Sequence, residues 1–308
     1  MQINPSLATE LSSTCWAMSP ETIRPTMNQI QLNPLQIKEI LHQKHLAAEA
    51  RIATQSAAMP AGSIAVINVT GTITSEDAWW GETSTRDLTA QLKACMSNQS
   101  VSGILLNINS PGGSVYGTPE FASLVSAAKS KKLIWSVANA CAASAAYWIG
   151  CATSKFCCVP SGEVGSIGVW TQHSDYSAYL ANLGIKTTIV QAGKYKTEGN
   201  PYNPLDETSE SYMQSRINDY YSMFTSFVAK QRGVTSSIVK SGMGQGRMLG
   251  ARAAVEENMI DAVDDLDGIL SSMQRVVKGS VISTAKAQVI TTVSAGIKDA
   301  RLKTLQLM

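Results

Sequence analysis

Three runs constrain this chain most: SIAVINVTGTI (63–73), GILLNIN (103–109) and LIWSVAN (133–139). Each is β-branched or apolar nearly throughout instead of alternating, the pattern of strands covered on both faces. Helical segments separate them, an amphipathic one in TRDLTAQLKACMSN (85–98) and another over 117–129. Strand, helix, strand at this spacing closes by right-handed crossovers, so a largely parallel sheet is expected. Further along, KFCCVP (155–160) reads as a short strand and GSIGVW (165–170) as a turn and strand. Residues 175–183 read as a helix and KTTIVQAG (186–193) as another strand. From 206 to 231 a long helix carries Met213, Ile217, Tyr220, Phe224 and Phe227 at three- and four-residue intervals, and Gly233 stops it. That aromatic stripe suits a core or a subunit contact. The segment 250–270 adds one more helix and a closing turn.

The same pass divides the chain. Residues 1–60 read as an N-terminal helical appendage, with helical periodicity at Ile37, Ile40, Leu41 and Leu46 and a break at Pro60-Ala61-Gly62. Residues 61–275 form the αβ body. Residues 276–308 read as a tail or an assembly element.

Composition excludes several function classes. With 308 residues and a net charge of +2, nothing favours nucleic-acid binding. No run of about 20 apolar residues is present, so no transmembrane helix is expected. The N-terminus has neither the basic start nor the apolar stretch of a signal peptide. Six cysteines form no CxxC pair, and His42, His45 and His173 are too scattered to complete a zinc site. Reduced, buried thiols and a cytoplasmic protein are expected, without metal or cofactor. Dinucleotide and nucleotide-phosphate glycine motifs are missing.

Chemistry can sit in three places. NSPGGS (109–114) follows a buried strand and precedes a helix. Gly112 and Gly113 let backbone approach a ligand and turn N–H groups outward, as an oxyanion hole requires. Taken alone, the motif is equally a turn. ANACAASAAYWIG (138–150) puts Ser144 among small residues that leave room for a carbonyl. A serine bonded back to its own helix is the plain alternative. A nucleophilic serine needs a base. His173, in TQHSDYS, reads as a surface or capping-region histidine. A lysine kept neutral by burial is the known substitute, and QAGKYKTEGNPYNPL offers Lys194 and Lys196.

Taken in order, AVINVTGTI, GILLNINSPGGSVYG, ANACAASAAYWIG, GEVGSIGVW, LGIKTTIVQAGKYKTEGNPYNPL and GARAAVEENMIDAV resemble the signal-peptide-peptidase-A family of serine peptidases, across about residues 63–270. The resemblance implies an α/β ClpP/crotonase-like fold of stacked β-α-β units and a Ser-Lys dyad. Position by position, it implies Ser144 as nucleophile, Lys196 rather than Lys194 as general base, and Ser166 of GSIGV holding the lysine. Gly113, with Gly112 and the N–H of Ala145, is implied for the oxyanion hole. Family members often carry glycine where this chain has Ala145. The apolar CAASAAYWI stretch is expected to wall in Lys196.

HSDY after GSIGVW, EGNPYNPL after the lysine and CWAMSPETI ahead of the body are similar to the head-maturation proteases of tailed phages. That branch implies scaffold, capsid or portal proteins as substrates, work inside a prohead in the host cytoplasm, and a homo-oligomeric ring without nucleic-acid or membrane partners. The 206–231 helix, Trp79 and Trp80 are candidate subunit contacts. Three other readings compete. One is a bacterial cytoplasmic peptidase of the same family, acting on signal or other peptides. Another is an inactive capsid-assembly or scaffold subunit. The last is a crotonase-type acyl-coenzyme A enzyme, which the chain's lack of an obvious Glu pair disfavours.

Overall fold

A computed structural model describes residues 15–18, 34–76 and 83–279. In chain order the elements begin with β1 (Trp16–Met18), α1 (Pro34–Ser56), β2 (Ser63–Thr70), β3 (Ile73–Thr74), β4 (Thr83–Ser84) and α2 (Thr85–Ser97). Next come β5 (Val101–Ser110), β6 (Gly112–Ser114), α3 (Thr118–Ala128), β7 (Leu133–Ala143) and α4 (Ala145–Gly150). After these lie β8 (Lys155–Cys158), β9 (Glu163–Gly165), α5 (Ser177–Asn182), α6 (Glu207–Arg232) and α7 (Ser236–Ser241). The chain then runs through β10 (Met248–Gly250), α8 (Ala251–Glu256), β11 (Ala262–Val263) and a helix over 266–279.

The main sheet has the order β10-β9-β7-β5-β2, with β8 also on β7 and β11 on β8. Every pairing in it is parallel except β9 with β10. The unbroken apolar runs are explained by cover on both faces. Ile104, Leu106 and Ile108 of β5 turn toward Leu88, Leu92, Phe121, Val125, Trp148 and Phe224 on the helices of one side. Leu105, Val137 and Cys157 turn the other way, onto Ile269 and Met273 of the last helix. Transfer of such side chains from water contributes about 1.5–3 kcal/mol each, which accounts for where the core sits.

Local chemistry sets the helix ends. Ser84 caps α2 by accepting from the Asp87 amide at 3.1 Å. Asp206 caps α6 in the same way, accepting from Ser209 at 2.8 Å. Gly233, at φ 67°, ends α6 in the left-handed conformation. Arg51 ties α1 to the body through Asp87 at 2.5 Å.

A second sheet, ordered β1-β6-β3-β4, stands beyond the end of β5. Its first strand lies within residues 1–60, where only helix was expected. Cys15 through Met18 are buried in the body instead of hanging from it. Two further segments differ from expectation. The strand expected over 186–193 joins no ladder among the described residues. GSIGVW contributes only β9's end and one antiparallel bridge, Trp170 with Trp16. Trp79, Trp80 and residues 280–308 lie outside the described residues. Among those described, no helix is long and apolar enough to cross a membrane.

Candidate active site

Ser144 sits where β7 stops and α4 starts. β7 runs on past Asn139 through Cys141-Ala142-Ala143 because these residues pair with Glu163-Val164-Gly165 of β9; the helix begins at Ala145, directly after Ser144. The chain then turns sharply, with Ser144 at φ 53° and ψ −114°, a conformation non-glycine residues rarely adopt and one that costs about 1–3 kcal/mol. Its surroundings impose that conformation. The Ser144 amide donates to Gly165 at 2.7 Å, and its carbonyl accepts from Trp148 at 2.9 Å. Behind it, Trp148 stacks on Phe224 with ring centroids 4.2 Å apart. The Tyr147 hydroxyl donates to the Met259 carbonyl at 2.9 Å. The Ser144 Oγ donates to the Gly168 carbonyl at 3.3 Å, a long bond and not a bond back to its own helix.

The two glycines of NSPGGS meet this turn. A Cβ on Gly113 would lie 1.9 Å from the Ile73 carbonyl oxygen, so only glycine fits beside β3. A Cβ on Gly112, at φ 101°, would lie 2.2 Å from the Ala17 oxygen, 2.9 Å from that of Ala143 and 3.1 Å from the Ala145 nitrogen. The carbonyl of Ala17 and the amide of Ala145 therefore converge on one small space. The Gly112 amide is engaged elsewhere: it donates to Ser110 Oγ at 3.1 Å, and that hydroxyl donates to Gly71 at 2.6 Å. Gly112 shapes the turn, and of the three expected oxyanion groups it is Gly113 that pairs with Ala17, while the Ala145 nitrogen borders the same space beside Gly112. Ala145 is fully buried.

That carbonyl belongs to β1, which sequence reasoning missed. Ala17 lies opposite Gly113, with Trp16 opposite Ser114 and Met18 opposite Gly112, in antiparallel register. Val115 donates to the Cys15 carbonyl at 3.1 Å. Bonded pairs alternate along an antiparallel ladder, so Ala17 with Gly113 is the next such pair. On the opposite edge Trp16 and Trp170 exchange both amide bonds, at 2.8 and 3.0 Å, and Trp170 Nε1 donates to Met18 at 2.6 Å. The only sequence signal was the CWAM segment, too short to show a period.

The remaining candidates are placed less closely. Ser166, at φ 52°, follows Gly165 directly and donates its amide to Arg247 at 2.9 Å. Lys196 is exposed, on a turn closed by its amide to Gly193 at 3.1 Å. The expected wall is elsewhere: Ala145, Ala146, Tyr147, Trp148 and Ile149 point into the core, because α4 packs on α3 and α6. The single chain thus brings Ser144, Ala145 and Gly113 together and leaves Lys196 outside. Lys194 lies over the Tyr195 ring at 4.8 Å. His173, partly buried, pairs its Nε2 with the Asn200 carbonyl at 2.9 Å. All six cysteines are free. Burial pushes the Cys15 thiol up, against an opposing pull from Arg216.

Residues 126–279, half of the chain, match the profile of peptidase family S49. The chain belongs to peptidase family S49. Residues 68–164, which carry Gly112, Gly113 and Ser144, also match the Clp protease family, and the parallel sheet with helices on both faces is the ClpP-like α/β fold. Among curated relatives, this S49 chain is 29% identical over 226 residues to "Head-tail preconnector protein GP5" of Enterobacteria phage P21, covering 71% of the chain and 45% of that protein. It is 32% identical over 180 residues to "Capsid assembly protease C" of Escherichia phage lambda, covering 57% and 41%. "Protease 4" of Haemophilus influenzae is 25% identical over 221 residues, covering 70% and 35%. The chain spans less than half the length of each of these relatives.

Proposed function

We propose that this chain hydrolyses peptide bonds through an acyl-enzyme on Ser144. The observation that carries the reading is the Ala17 carbonyl, a peptide carbonyl paired with Gly113 and bordering the same space beside Gly112 as the Ala145 nitrogen, next to the strained serine. In the proposed cycle Ser144 Oγ attacks a carbonyl so placed, and the two amides take the developing negative charge. Neutral Lys196 accepts the serine proton, hands it to the leaving amine, and then activates the water that releases the acyl group. Ser166 orients the lysine from its place beside Gly165.

The dyad needs a second copy of the chain in this account. From α5 to the start of α6, Tyr179, Leu183, Ile185, Val190, Tyr195 and Tyr202 are exposed, Val190 to 93%. The strand expected at 186–193 has strand-forming residues and no partner among the described residues. Packing by a neighbour in a homo-oligomeric ring would cover this segment, give the 186–193 run a strand to pair with, and bring Lys196 to the serine.

The substrates proposed are scaffold and capsid or portal proteins within a phage prohead. Similarity to a head-tail preconnector protein and to a capsid assembly protease supports this over a bacterial housekeeping peptidase. The test is incubation of the full chain with the scaffold and capsid proteins of its own genome, beside Ser144→Ala. Discrete cleavage by the wild type alone supports the proposal. Intact substrates with an assembled wild-type protein would favour a subunit that only helps to build the shell.

A further inference from the structure

A peptidase of this geometry must grip its substrate as an extended strand, and the groove already contains one. Residues 15–18 run between two strips of backbone. Cys15 and Ala17 bond to the β6 side, while Trp16 bonds to Trp170 on the other. Alternating two-sided pairing of this kind is how a peptide is added to a sheet edge. The segment is no loose visitor: Trp16 is 1% exposed and Ala17 is fully buried. Its direction and register matter more than its burial. The Ala17 carbonyl pairs on the Gly113 side and, like the Ala145 nitrogen next to Ser144, borders the space beside Gly112; the peptide bond that follows that carbonyl is Ala17–Met18.

We infer that the chain's own N-terminal segment fills the substrate groove, and that Ala17–Met18 is cut by the chain itself to open it. The inference rests on the proposed Ser144 peptidase. Ser144 Oγ adds to the Ala17 carbonyl carbon, and its proton passes through the base to the Met18 nitrogen as the C–N bond breaks. Residues 1–17 are left as an ester on Ser144, and Met18 becomes a free amino terminus. Water then adds to the ester, its hydroxyl ending on the Ala17 carboxyl and its other proton on Ser144. Until the cut, no other peptide reaches Gly113.

The test follows the full chain by intact mass and N-terminal sequencing, with casein hydrolysis measured in parallel. The expected result is loss of residues 1–17, a new terminus at Met18, and casein cleavage that rises in step with that loss. Ser144→Ala keeps its full mass. A synthetic peptide of residues 11–24 is cut at the same bond by the opened enzyme. Casein cleavage by a chain that retains residues 1–17 would overturn the inference and leave the peptidase reading standing. Cutting at another bond, or in Ser144→Ala, would overturn it too. Failure to cut casein, the peptide and the terminus alike would count against the peptidase reading itself.

Discussion

The amide of Ser144 donates to the carbonyl of Gly165 at 2.7 Å. This bond joins the end of β7 to the end of β9 and fixes the serine in its strained turn. Gly165 can accept it because its own φ is 131°, and a Cβ there would lie 2.6 Å from the Arg247 carbonyl oxygen. Gly165→Ala should therefore lower stability by about 1–3 kcal/mol and cut peptidase activity at least tenfold in the protein that remains folded. Urea unfolding and a peptide cleavage assay on the folded fraction separate the two effects.

The choice between the two lysines is open to a direct comparison. Lys196→Ala is expected to abolish cleavage while the fold and the assembly persist, and Lys194→Ala to keep most of it. Activity of Lys196→Ala should also be absent at every protein concentration. If the site is completed by a neighbour, wild-type specific activity should instead fall on dilution below the concentration at which the oligomer dissociates, as read by light scattering. Near-full activity in Lys196→Ala would remove it as the base.

Arg232, at the end of α6, holds the far side of the body. Its side chain is 8% exposed. It donates to the Asn258 carbonyl at 2.7 Å, to Asn258 Oδ1 at 3.1 Å and to Asp261 at 3.0 Å. Asp261 in turn accepts from the Phe156 amide of β8 at 2.6 Å. Arg232→Ala leaves these acceptors without their donor and should cost about 2–4 kcal/mol. Arg232→Lys recovers only part, since an ammonium cannot reproduce the planar fork. Chemical denaturation of both variants measures this.

Buried thiols make the fold sensitive to alkali. Burial pushes Cys151 from 9.0 up to about 12, next to its bond to the Trp148 carbonyl at 3.2 Å. Between those two values the thiol ionises in the unfolded chain and not in the folded one. Its contribution is therefore complete below pH 9 and is lost as the pH rises toward 12, by about 1 kcal/mol per pH unit. Cys158, raised to about 12, acts in the same direction. Stability against pH from 8.5 to 11 should fall less steeply in Cys151→Ala than in the wild type.

What could be read before the structure follows from which signals are local. The strands of the main sheet were legible because full burial leaves an unbroken apolar run, as in Ile104-Leu105-Leu106. Gly113 and Ser144 could be singled out as candidates because their motifs carry backbone freedom and small neighbours, though the roles proposed for them came from the family resemblance. β1 was not, since three residues show no periodicity and its pairing partners lie about a hundred residues away. The environment of Lys196 was misjudged for a related reason. Whether an apolar stretch faces a lysine or the core depends on helix packing, and Trp148 against Phe224 turns it inward. The 186–193 run has strand-forming residues, yet a strand needs a neighbour to pair with, and composition does not say which chain supplies it.

The central claim is that Ser144 is the nucleophile. The most direct measurement is the site of covalent labelling by a fluorophosphonate on the assembled protein, mapped by peptide mass spectrometry beside cleavage of a peptide substrate. The account predicts one adduct, on Ser144, with cleavage lost in proportion to labelling and absent in Ser144→Ala. An adduct on another residue that abolishes cleavage, or undiminished cleavage by Ser144→Ala, would contradict it.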